Sequence, residues 1–133
     1  MTDLEVLRQR IAGYADYADV DARHQVDKQI RAYLGEALAE ARDRLKPTGA
    51  LAERLDGLIL RCEFSDQRVI KAADHAFFGQ ALVDRIHQLD RGIVECADRI
   101  RAAQTVEELA VELDTAARYL DERFGAIAEA PSH

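Results

Sequence analysis

The sequence predicts an all-α protein, an up-and-down antiparallel bundle of four to five helices. Three observations carry this. Apolar residues make up 48% of the 133 residues and charged residues 32%, the balance of a chain that buries a core. Two prolines and seven glycines leave long stretches without a breaker. Apolar positions recur at steps of three and four along most of the chain, the spacing of one helical face. The length suits a single domain over residues 1–133, large enough to bury a core without disulfides or metal staples.

The first helix opens on a capping box, Thr2 with Glu5, ahead of the stripe Leu4, Leu7, Ile11, Tyr14, Ala18. The stripe fails at Asp21, Gln25 and Lys28, and a new one starts at Ile30 and runs through Leu34, Leu38, Ala41 and Leu45. Neither Gly nor Pro forces a break there, so residues 3–46 read as one helix or as two. Asp19 or Asp21 is the N-cap of a second helix. KPTG, residues 46–49, is a turn. Leu51, Leu55, Leu58 and Cys62 mark a short third helix, and Ser65 with Asp66 caps the next one.

His75, Gly79, Leu82, Ile86, Leu89, Ile93, Cys96, Ile100 and Ala103 then keep a heptad. They predict one unusually long helix over about 66–103, with His75 in its core stripe. Thr105 and Glu108 form a second capping box ahead of Val106, Leu109, Leu113, Ala116, Leu120 and Phe124. Residues 129–133 read as a frayed tail.

The net charge of −7 excludes a basic nucleic-acid footprint. From Thr105 onward seven acids face two arginines, so five of the seven net negative charges lie in this last segment. Such a helix presents a solvated face or steers a basic partner. No apolar run reaches membrane-spanning length and the N-terminus has no signal core, which predicts a cytoplasmic protein. Two cysteines far apart in sequence fit free thiols.

Candidate chemistry is sparse. His75 and His87 differ by about 120° on one helix, so they cannot share a metal ion from it. His75 reads as a core histidine. A metal site from His75, Cys62 and Cys96 has a spacing unlike structural zinc motifs. Both cysteines sit on apolar stripes and read as small hydrophobes. The acids Asp16, Asp19 and Asp21 with His24 lack the glycine and spacing of an EF-hand loop. With no phosphate loop and only Ser65 and Ser132 as serines, the chain reads as non-enzymatic, with no cofactor.

IHQLDRG, residues 86–92, is similar over seven residues to the motif of histidine phosphotransfer domains, which are helical bundles of about this size. That resemblance implies His87 as phosphoacceptor, with Leu89 matching at +2. Asp90 stands where the family has lysine, and Gly92 comes one residue late. A carboxylate at +3 repels a phosphohistidine, while Arg91 at +4 partly compensates.

The function that remains is an adaptor, regulatory or assembly role through protein contacts. On a continuous helix Ile70, Ala73, Phe77 and Phe78 make the stretch 69–78 apolar all round, and such a helix is covered on every side. Phe77 is then covered by the N-terminal helix or by a second copy. The expected partners are a protein and a second subunit of a homodimer, with neither nucleic acid nor membrane.

Overall fold

In a computed structural model that describes residues 1–132, six helices form and no strand does among those residues. They are α1 (Asp3–Arg10), α2 (Val20–Leu45), α3 (Gly49–Glu63), α4 (Gln67–His75), α5 (Gln80–Ala102) and α6 (Val106–Ala128). The four long ones are the bundle. The starts of α1, α2, α4 and α6 are set by side-chain caps. Thr2 Oγ1 accepts from Glu5 N–H, Asp19 Oδ1 from Ala22 N–H, Asp66 Oδ1 from Arg68 N–H and Thr105 Oγ1 from Glu108 N–H. Residues 3–46 are thus two helices, divided at the Asp19 cap. Lys46, at φ 48°, ends α2 in the left-handed region just before Pro47.

The helices of the bundle alternate in direction along the chain. Arg31 of α2 reaches the Cys62 carbonyl at the end of α3, while Arg42 meets Asp56, so α2 and α3 are antiparallel. Arg85 and Arg99 of α5 meet Glu122 and Glu112 of α6, which are antiparallel as well. The α4 segment carries the chain across the end of the bundle, so other neighbours run parallel. Tyr33 and Glu40 of α2 meet Asp98 and Arg101 of α5. Arg54 and Arg61 of α3 meet Asp114 and Asp121 of α6. Going round the bundle the order is α2, α3, α6, α5. Four of the acids of α6 are thereby answered by arginines from α3 and α5, and its charge serves the seams between helices as well as solvent.

The single long helix over 66–103 does not form. It stops at His75 and restarts at Gln80, with Ala76–Gly79 extended between. The break turns Phe78 inward, where its ring stacks on Tyr17 at 5.9 Å between centroids and under the Arg23 guanidinium at 4.1 Å. Burial of an aromatic face with a cation over it outweighs the backbone bonds given up in one turn of helix. The heptad from Ile86 to Ala103 does line the core. Its backward extension through Gly79 to His75 is a coincidence of spacing. Of the tail expected to fray, Pro131 accepts from Phe77 N–H at 2.7 Å and Ser132 bridges to Ala76. His133 lies outside the described residues.

Candidate functional site

The feature in the interior that demands explanation is polar. Arg123 of α6 is fully buried, as is Asp90 of α5, and Asp27 and Arg31 of α2 are nearly so. Buried charges are tolerated only when paired and bonded. Arg123 spends its fork on three groups. Nε donates to Asp90 Oδ1 at 2.7 Å, Nη1 to Asp27 Oδ1 at 2.9 Å and Nη2 to the Tyr17 hydroxyl at 3.1 Å. Asp90 Oδ2 takes the hydroxyls of Tyr14, at 2.7 Å, and Tyr17. Asp27 Oδ2 takes Arg31 Nε and the Ser65 hydroxyl, each at 2.9 Å. Arg31 closes the set through Ser65 Oγ and the Cys62 carbonyl.

Two aspartates thus balance two arginines, and among the described residues no buried side-chain nitrogen or oxygen lacks a partner. This pairing sets the electrostatics. Burial pushes Asp27 up, but Arg123 and Arg31 outweigh it and hold the carboxyl below its usual range. Burial works against the charge of Arg123, and Tyr17, Asp90 and Asp27 overcome it, so the guanidinium stays ionised. Burial raises the phenols of Tyr14 and Tyr17 well above their ordinary value, with Asp90 adding to it.

The tyrosines come from residues 11–19, which return from the end of α1 along the groove between α2 and α5. α1 lies parallel to α5, with Asp3 on Arg91 and Arg10 on Asp98. The strap must therefore run back past His87 and Asp90 to reach α2. Asp16 sits in it at φ 60°, a left-handed conformation that Asp tolerates because its side chain bonds locally, here accepting from Tyr17 N–H.

His87 is 7% exposed, with Nε2 at 2.7 Å from Asp16 Oδ1 and its ring beside Tyr14 and Tyr17. A phosphoryl donor has to reach a ring nitrogen, and this one is covered by the strap. Asp90, which breaks the phosphotransfer motif at +3, is bound to Arg123. His75 is not in the core. It is exposed on the last turn of α4, lining a cleft with Arg68 and Lys71. The core position assigned to it rested on the continuous helix. His75→Leu should therefore change stability by no more than about 0.5 kcal/mol in a denaturant titration. A loss of several times that would mean the side chain is engaged.

Cys62 and Cys96 are free thiols in different seams. Cys96 Sγ donates to the Glu112 carbonyl, and burial pushes both thiols up to about 11. Cys62, Cys96 and His75 are not brought together. Among the described residues no three His, Cys, Asp or Glu side chains are placed to hold a metal ion. The apolar stretch 69–78 is split by the break. Ala73 is buried within the chain and Phe78 packs on Tyr17, so neither offers a surface. Ile70 is half-buried and Phe77 is 51% exposed.

No family model, curated protein or solved structure matches the chain. No helix among the described residues is long and apolar enough to cross a membrane.

Sequence reasoning missed the network. The signal was present in the placing of its charges on apolar faces. Asp90 stands between Ile86 and Ile93, Arg123 between Leu120 and Ile127, and Asp27 three and seven residues ahead of Ile30 and Leu34. At those spacings a charge is carried into the core with its neighbours.

Proposed function

We propose that the protein works through contacts with other proteins, as an adaptor, regulatory or assembly subunit of the cytoplasm, and that a second copy of the chain is one partner. The observation that carries this is a pair of exposed apolar side chains at the end of α3. Leu60, in its last turn, is 56% exposed and Phe64, the extended residue that follows it, is 66% exposed. Single exposed apolar side chains are ordinary, and two this near each other in the chain offer an apolar surface for a partner to cover. A patch of this kind can pair with itself across a two-fold axis, the commonest arrangement of small homo-oligomers.

The non-catalytic part of the reading is supported by the network. Its aspartates, arginines and tyrosines are bonded to one another, and His87 is bonded to Asp16. His87 lines a cleft with Asp3 and Asp84, but its Nε2 is taken by Asp16. Sedimentation equilibrium tests the assembly. The wild type should show a concentration-dependent dimer, and the double variant Leu60→Asp, Phe64→Glu should associate measurably more weakly with an unchanged helical circular dichroism spectrum. A wild-type chain still monomeric at millimolar concentration would end the homodimer reading.

A further inference from the structure

The segment before α2 is held differently from the rest of the chain. α1 buries only Leu7 of its eight residues. The strap after it buries Ile11, Tyr14 and Tyr17 in the core and is also fastened to the groove between α2 and α5 by polar bonds. Gln29 of α2 grips its backbone on both sides of Tyr14, donating from Nε2 to the Gly13 carbonyl and accepting at Oε1 from Ala15 N–H, each at 2.9 Å. Asp90 takes both tyrosine hydroxyls, and His87 holds Asp16. A side-chain amide that bonds a carbonyl and an N–H two residues apart holds the backbone between them in one conformation, here a turn with Gly13 at φ 72° and Asp16 at φ 60° on either side of Tyr14. The groove therefore fits a turned, tyrosine-bearing segment.

The joint between arm and body is Ala18, Asp19 and Val20, all exposed. From Tyr14 to Leu34 the sequence has no Gly and no Pro, so nothing covalent enforces the break before α2. The closed form keeps Asp16 at φ 60° and interrupts a helix that its residues can continue. Straightening residues 16–20 into helix gives up the Asp19 cap in exchange for a continuous helix without a left-handed residue, and carries the arm away from its own groove. Every bond between arm and groove can then be remade with another molecule, so the two forms differ mainly at the joint and in concentration dependence.

We propose that the α2–α5 groove is a recognition site occupied in cis by residues 1–17, and that its occupant in trans is the same arm of a second copy, exchanged about residues 18–20. This does not depend on the α3 patch. The test uses two full-length copies of different mass. One carries Ala15→Cys and the other Gln29→Cys, and both carry Leu60→Asp and Phe64→Glu to remove the α3 contact. A control chain carries both cysteines. The copies are mixed, unfolded, refolded together over a range of concentrations and oxidised, and disulfide-linked peptides are mapped by mass spectrometry. The control should bridge 15 to 29 within one chain. The mixture should bridge 15 of one copy to 29 of the other, in a fraction that rises with chain concentration at refolding. A control that bridges while the mixture gives no 15–29 link at any concentration overturns the exchange. A control that refolds to a helical spectrum yet does not bridge overturns the placing of the arm itself.

Discussion

Replacing Arg123 with methionine should cost the fold about 3–5 kcal/mol in a urea or guanidinium titration, the range for removing one partner of a buried ion pair. Methionine matches the guanidinium roughly in volume, so the loss is not chiefly a cavity. It arises because Asp90 keeps only its tyrosine bonds and Asp27 loses one of its two arginines, in a place where water does not replace them. The pH dependence separates this cause from simple loss of packing. In the wild type Asp27 is held below its usual range. Its contribution is complete above the unfolded carboxyl value near 3.8 and is lost as pH falls through the lower folded one. In the variant the penalty belongs to poorly paired buried carboxylates, which protonation relieves, so the gap between variant and wild type should narrow as pH falls. A loss under about 1 kcal/mol, or a gap that is flat with pH, would mean the network does not hold the bundle together.

The network also explains why the fold was more legible than the site. Helix starts were written in local chemistry, because a capping hydroxyl or carboxylate acts within three residues. Thr2 and Thr105 could therefore be read in place, and the caps of α2 and α4 to within the pairs Asp19 or Asp21 and Ser65 with Asp66, as could the turn at Pro47 and the core faces of α2, α5 and α6. The break at 76–79 was not local. It depends on Tyr17 and Arg23, more than fifty residues away, offering Phe78 a better environment than another turn of helix. Everything built on the continuous helix moved with it, including His75 as a core residue and the apolar girdle around Phe77. The site was illegible for a related reason. Asp27, Asp90 and Arg123 stand on core faces, but which of them pair is decided only when three helices bring them together. Tyr14 was legible only as an apolar position, since nothing in its neighbourhood reveals that its hydroxyl lands on Asp90.

A tight contact in the seam between α5 and α6 gives the second large effect. Gly92 lies on the face of α5 that meets Tyr119 of α6, and a Cβ added there would stand 2.5 Å from Cε1, 2.7 Å from Cζ and 2.9 Å from Cδ1 of that ring. Two effects of Gly92→Ala oppose each other. Alanine favours the helix over glycine by about 1 kcal/mol. Overpacking a fitted contact costs about 1–3 kcal/mol, because the ring has to leave its rotamer or the helices have to part. Gly92 is buried and Tyr119 half-buried, with the Arg118 guanidinium 5.2 Å from the Tyr119 ring centroid, so the ring is hemmed in on more than one side. The clash should win, for a net loss of about 1–2 kcal/mol in the midpoint of a denaturant titration. The double-mutant cycle decides the cause. In a Tyr119→Ala background the space is open, and Gly92→Ala should change sign and stabilise by up to about 1 kcal/mol through helix propensity alone. If Gly92→Ala is equally destabilising in both backgrounds, the glycine is required by something other than the ring it faces.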